Sequence, residues 1–367
     1  MNSKEYLPGV IEKLSALNET SITDKIFVGF DGYIDKIQKA VKSRSVTEVT
    51  FYTTLTEFSK RIAAAAGRSG QVELVTQEVK IGGNAPIMAN ALGHLGISSV
   101  CLGNGGYPDM NNEYKYLHPN VSMVSIGDPA ETNALEFNDG KMILSELSTF
   151  RKIDWKYVEN TIGRKILQYN IDQCDILALV GWCNPDHATD VWKGIMENLM
   201  PESSYKKLML FDLADPTKKS KEDLREVLKV IEGYTLFGPV ILGINENETL
   251  KLYDILNEDR EANYNDMESI GQYIFSKLSI DGLLIHPVDR CILVQKNGLI
   301  NLEGNVVMEP KISTGGGDNL NAGFCAGYLL GLTTEESLIL GMATSGAYVQ
   351  NGKSPSVKEI IDYLGTW

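Results

Sequence analysis

Three glycines followed by an acid, Gly315-Gly316-Gly317-Asp318, make the run with the clearest chemical potential in this sequence. Glycines let a backbone approach a ligand closely and adopt positive φ. The run continues through Leu320, Ala322, Phe324 and Ala326 and reads as a turn opening a helix. Free N–H groups of a first helical turn favour an anion. They would suit a phosphoryl group whose oxygens gain charge during transfer. Asp318 would stand beside them, where a carboxylate can take a proton from an attacking hydroxyl. Taken alone, the run is better read as an ordinary capped helix start, because an acid is favoured there in any case.

Other chemistries are poorly supported. Leu320 stands where a dinucleotide fingerprint needs its third glycine. Gly352-Lys353-Ser354 resembles the end of a P-loop, but Ala347 replaces its first glycine. The four histidines, His94, His118, His187 and His286, are far apart and argue against a zinc site or a histidine-dependent triad. A formal net charge of −14 argues against a nucleic-acid surface. Lys218-Lys219-Ser220-Lys221 beside Glu222 and Asp223 reads as a solvated helix start.

The elements that must hold the run follow from hydrophobic pattern. Near-continuous apolar segments at 26–30, 99–102, 175–180, 208–212, 240–244 and 282–285 read as strands covered on both faces. Helical patterns at 86–95, 157–169, 191–200, 221–231 and 269–278 alternate with them, which points to a mostly parallel sheet with crossover helices. More polar β-prone stretches at about 33–52 and 72–81, and a hairpin signal at Asn138-Asp139-Gly140-Lys141, suggest a small antiparallel sheet. It reads equally as a lid over a cleft or as an edge hairpin. Five scattered cysteines (Cys101, Cys174, Cys183, Cys291 and Cys325) read as free thiols in a reducing compartment. The first residues lack a signal-peptide pattern, and no run of about 18 apolar residues is present. The expectation is a cytoplasmic protein without a membrane partner.

The order of four motifs resembles the ribokinase-like (PfkB) carbohydrate kinases from about residue 25 to about residue 362. The segment 315–324 is similar to the family's G-A-G-D-x-x-N-A-G-F signature. Gly82-Gly83-Asn84-Ala85-Pro86, followed by 89–96, is similar to its first signature. Asn245-Glu246-Asn247-Glu248 resembles N-x-x-E, and Asp31 and Asp35 match the region supplying a sugar-binding carboxylate.

The resemblance implies a single α/β domain over 1–367: three α/β/α layers around a mostly parallel sheet. A discontinuous antiparallel β lid would come from about 33–52, 71–82 and 130–150. It implies transfer of the γ-phosphoryl of ATP, with Mg²⁺, to a sugar-like hydroxyl; a monovalent cation is a further candidate. Asp318 would be the general base, and the amides of Gly315, Gly316 and Gly317 the anion hole. Asp31, Asp35, Gly82, Gly83 and Asn84 would hold the sugar. Asn245, Glu248, His286, Asp289, Thr314 and Asn351 would line the nucleotide, with Glu248 reaching Mg²⁺ through water. A homodimer paired through the lid is also implied.

Several positions depart from the pattern. Ile87 replaces an asparagine of the first signature. Ile285-His286-Pro287-Val288-Asp289-Arg290 stands where T-x-G-x-x-G is expected, so Pro287 and Arg290 replace both glycines. Ile312-Ser313-Thr314 replaces D-T-T, and Asp212-Leu213-Ala214-Asp215-Pro216 replaces D-x-N-x-R. Residues 57–68 are additional to a compact member. Two alternatives stay open: a nucleoside kinase, with Tyr33, Trp182 and Phe137 as candidates to stack a base, and a catalytically impaired sugar-binding or regulatory protein.

Overall fold

The computed structural model describes residues 2–17, 22–203, 205–257, 264–312 and 314–367, so Ser313 lies outside the described residues. In chain order the first part forms α1 (Leu7–Ser15), β1 (Ile22–Gly29), β2 (Tyr33–Arg44), β3 (Val49–Phe51), α2 (Leu55–Ala63), β4 (Leu74–Gly82), α3 (Asn84–His94), β5 (Ile97–Gly103), β6 (Val121–Ser125), β7 (Ala130–Phe137) and β8 (Gly140–Glu146). The middle forms α4 (Trp155–Ile162), α5 (Arg164–Asp172), β9 (Ile176–Leu179), α6 (Ala188–Asn198), β10 (Leu208–Asp212), α7 (Lys221–Gly233), β11 (Val240–Ile244) and α8 (Glu246–Leu256). The last part forms α9 (Met267–Lys277), β12 (Gly282–Ile285), β13 (Arg290–Gln295), β14 (Gly298–Glu303), α10 (Gly316–Leu329), α11 (Thr334–Asn351) and α12 (Val357–Leu364).

Among the described residues the main sheet has nine strands, in the order β14-β13-β12-β11-β10-β9-β1-β5-β6. Its pairs from β12 through β6 run parallel, and the β12-β13-β14 edge is antiparallel. The apolar runs explain the layering. Phe27, Leu177, Leu179, Met209 and Phe211 face one core, with α4 to α9. Their neighbours Ile26, Val28, Ile176, Ala178, Leu208 and Leu210 face the other, with α1, α3 and α10 to α12. Alternation along a strand sends successive side chains to opposite faces, so a strand with a helix layer on each side must be apolar throughout. Apolar position does not distinguish one long helix from two, and here it misleads. The segment 157–169 is broken into α4 and α5 at Gly163, whose φ of 86° ends one helix and opens the next.

A second sheet is built on β2, which pairs with β3 and β4 antiparallel and with β7 parallel; β7 and β8 form the hairpin. The additional segment at 57–68 covers its outer face. Phe58 of α2 packs between Tyr52 and Phe137, at ring distances of 5.5 and 5.2 Å, over Ala40 and Leu135. Lys42 Nζ donates to Glu57 at 2.5 Å and the Leu55 N–H to Asp139 Oδ1 at 2.7 Å, so α2 is tied to both halves of the sheet. Phe58→Ala should therefore loosen this sheet by about 2–3 kcal/mol, below the value for a large core because the cluster is small. Hydrogen exchange would show it as faster exchange in β2, β3 and β7, with β9 to β11 unchanged.

Candidate active site

Two glycine-led helix starts face each other. Gly83 (φ 100°) caps α3, and Gly315 (φ 92°, ψ 0°) caps α10. Asn84, the first residue of α3, donates through Nδ2 to Asp318 Oδ1 at 2.8 Å. Asp318 is buried, at 5% exposure. Burial, then the charge of Asp212, push its pKa well above the usual carboxylate range. A raised pKa makes a carboxylate a stronger base once ionised, which suits proton abstraction from a hydroxyl.

Two cavities meet at Asn84, Gly315 and Asp318. The first, of about 720 Å³, runs under the second sheet. The second, of about 580 Å³, lies over the carboxyl ends of β10 to β12. Crevices outside the carboxyl ends of parallel strands are where open α/β sheets bind ligands.

The strand register decides which residues of the second sheet face the first cavity. Asp35 of β2 is flanked by Lys80 of β4 and Thr132 of β7. All three line the cavity, with Lys141, Tyr33 and Gly83. Thr132 Oγ1 donates to Asp35, and burial raises the Asp35 pKa. Gly82 is packed against the Asp35 carboxylate and lies behind the lining, where no Cβ would fit.

Asp31 is placed differently from Asp35. It is fully buried, and its Oδ2 and Oδ1 accept the N–H groups of Asn84 (2.9 Å) and Ala85 (2.8 Å). It caps α3 and does not line either cavity. Asp31 thus differs from Asp35, its expected partner as a hydroxyl holder: each of its oxygens accepts a backbone donor, and only Asp35 faces the first cavity. Asp31→Ala should lower stability by roughly 2 kcal/mol through loss of a buried cap. Asp35→Ala should raise the acceptor KM about tenfold or more, the worth of a charge-assisted hydrogen bond. Melting curves and acceptor titrations on both variants check the split.

On the other side, Asn245 and Glu248 form a capping box at the start of α8. The Asn245 N–H donates to Glu248 Oε2 at 2.9 Å, and the Glu248 N–H to Asn245 Oδ1 at 3.0 Å. A capping acid is usually solvated, but Glu248 is buried and lines the second cavity with Asp212 and His286. Burial and then the Asp212 charge raise its pKa. Asp212 is itself buried and accepts from Asn321 Nδ2 at 2.7 Å and the Ala214 N–H at 2.8 Å. A buried carboxylate whose pKa is raised by a second one makes a site that gains from a cation. Among the described residues no three His, Cys, Asp or Glu side chains converge to hold a metal ion by themselves. This donor set fits Mg²⁺ held through few carboxylates, substrate phosphates and water.

Three expected nucleotide residues fall elsewhere. Thr314 lines the first cavity, and its carbonyl accepts from Tyr348 Oη at 2.9 Å. Asp289 sits in the turn before β13, paired with Arg290 at 2.7 Å, and lines neither cavity. Asn351 ends α11 and lines neither. Of the aromatics proposed to stack a base, Tyr33 lines the first cavity, Trp182 is fully buried and Phe137 belongs to the packing around α2. Asp212, Asn321, Lys80 and Tyr348 were not singled out as site residues. Two of them carried a signal: Asp212 by its place at the carboxyl end of a buried strand, and Asn321 as the asparagine of the signature resembled at 315–324.

This fold and this meeting of a glycine-led helix with a buried acid define a carbohydrate kinase of the ribokinase-like class. The chain belongs to the prokaryotic ketohexokinase family, whose family model matches residues 10–367. It is 26% identical over 340 residues to the ketohexokinase of Haloferax volcanii, covering 92% of this chain and 89% of that protein. Its fold is similar to the ribokinase of Thermotoga maritima (TM-score 0.60, 17% identity, 94% of this chain and 99% of the other). It is also similar to a ribokinase II from E. coli solved with ATP and Mg²⁺ (TM-score 0.62, 12% identity, 94% and 100%). No helix among the described residues is long and apolar enough to cross a membrane.

Proposed function

We propose that the protein transfers the γ-phosphoryl of ATP, with Mg²⁺, to a hydroxyl of a ketohexose. The observation that carries this reading is Asp318, buried at the junction of the two cavities and held by Asn84 at the start of a glycine-led helix. The family assignment supports a ketohexose as acceptor.

In this reading the acceptor lies in the first cavity. Asp35, Lys80 and Thr132 bind its oxygens, Gly83 and Asn84 line its reacting end, and Gly82 seats Asp35. The acceptor hydroxyl passes its proton to Asp318. The amides of Gly315, Gly316 and Gly317 receive the charge on the transferred phosphoryl oxygens. Asn245 and Glu248 orient the metal side of the nucleotide, with Glu248 acting through water. Mg²⁺, when bound, neutralises phosphate charge. Residues 1–367 then act as one catalytic unit, whose lid (about 33–52, 71–82 and 130–150) closes over the acceptor and excludes water. The edge strand β8 is exposed along its whole length and presents Met142, Ile143 and Leu144, which favours pairing with a second copy.

The test is turnover with ATP and Mg²⁺ on a ketohexose, a pentose and a nucleoside. The ketohexose should give the highest kcat/KM; a preferred nucleoside would overturn the acceptor, and no turnover on any would overturn the activity.

A further inference from the structure

His286 follows β12 directly, in the segment where Pro287 and Arg290 replace the two glycines of the resembled loop. Proline fixes its own φ and restricts the residue before it to extended conformations. The backbone that carries the imidazole is therefore stiff, and the His286 N–H is tied to the Ile244 carbonyl at 3.0 Å. The ring lies against the glycine run. A Cβ on Gly317 would stand 3.2 Å from its Cε1 and 3.8 Å from its Nε2. Nε2 is shielded from water and has no hydrogen-bond partner in the protein. Asp212, fixed by Asn321 and Ala214, is near enough for its charge to oppose the burial that lowers the His286 pKa. The imidazole thus lines the second cavity together with Asp212 and lies beside the third glycine.

We propose that His286 is a positioning residue for phosphoryl transfer: its imidazole braces the backbone at Gly317 and so aims the last amide of the anion hole. This rests on the phosphotransfer reading above, and it gives a role on the loop to a residue that also lines the second cavity. At 317, where φ is not left-handed, a side chain would press on this ring at 3.2 Å, so it would displace the imidazole by a few tenths of an ångström.

The experiment compares His286→Ala, His286→Gln, Gly317→Ala and the double variant His286→Ala/Gly317→Ala. Misplacing an oxyanion donor by about 1 Å costs up to ~100-fold, so His286→Ala should lower kcat roughly 10- to 100-fold. The affinity for ATP with Mg²⁺, read by calorimetry, should change less than about threefold, well under one tenfold step of 1.4 kcal/mol. His286→Gln, which keeps a polar group near Nε2, should recover part of kcat. Gly317→Ala should lower Tm, and adding His286→Ala should restore part of that loss, because contacting residues are non-additive. An unchanged kcat in His286→Ala would overturn the proposal. So would ATP affinity falling in step with kcat, or Tm changes that simply add. Should the wild type transfer no phosphoryl group, the function reading fails by itself, and the Tm cycle still judges the brace.

Discussion

Asp318→Asn should lower kcat by about 10²–10⁴-fold, the usual worth of a general base. The replacement keeps the shape, and its amide oxygen can still accept from Asn84 Nδ2, now at 2.8 Å from Oδ1. What it removes is the capacity to take a proton. The acceptor and nucleotide KM values should therefore stay within a few-fold. Stability should move the other way. Asp318 is buried, and its carboxylate is disfavoured first by burial, then by Asp212, with Asp31 and Glu248 adding to it. Removing that charge relieves the repulsion, so the ligand-free variant should melt at a higher temperature than the wild type. The sign with pH follows from linkage. A carboxyl whose folded pKa is raised binds more protons folded than unfolded, so its contribution to stability is lost as pH rises through the folded pKa. The wild type should lose more stability across that window than the variant, which keeps the other raised carboxyls such as Glu248 and Asp35, so the Tm gap should widen with pH. Lower turnover with a lower Tm would mean a damaged fold and would remove the support for Asp318 as base.

What could be read from sequence was local. The strands at 208–212, 240–244 and 282–285 agree with β10, β11 and β12 to the residue, because a strand buried on both faces leaves an uninterrupted apolar run. The glycine run before Asp318 was readable for the same reason, since its conformation and its acid are neighbours in the chain. Asp31 was not. Its partners Asn84 and Ala85 lie 53 and 54 residues away, and only the fold shows that it caps a helix rather than faces a cavity. Asp212 and Asn321 are 109 residues apart and meet only because β10 and α10 bring them to one end of the sheet. Lys80 becomes a candidate only through strand register, which a polar β segment with two solvated faces specifies weakly in its sequence. Asp289 was assigned by position in a resembled motif and reaches neither cavity, because it sits in the turn before β13 paired with Arg290, and Asn351 ends α11 away from both. Gly163 shows the limit of periodicity: the apolar spacing persists across the break, and the left-handed glycine interrupts the helix.

Gly315→Ala should lower both turnover and stability. The residue sits at φ 92°, ψ 0°, in the left-handed region, where a side chain costs roughly 1–2 kcal/mol. The added carbon would also stand 2.7 Å from Tyr348 Oη, 3.2 Å from Cζ of the same ring and 3.3 Å from Ile87 Cγ2. Tyr348 cannot swing aside freely, because its hydroxyl donates to the Thr314 carbonyl and thereby holds the segment just before the turn. The backbone must then rotate towards a right-handed conformation, and the amides at the start of α10 turn away from the transferred phosphoryl. Loss of one such donor costs about 10²–10³-fold in kcat, so a drop of at least that size is expected. Tyr348→Phe separates the two causes. It removes the closest contact but leaves the conformational strain. Adding it to Gly315→Ala should recover some Tm and little kcat if the strained turn is what aims the amides. Full recovery of kcat in the double variant would mean that the steric contact, and not the left-handed turn, governs the anion hole. Wild-type turnover in Gly315→Ala alone would mean that these amides do not face the phosphoryl at all.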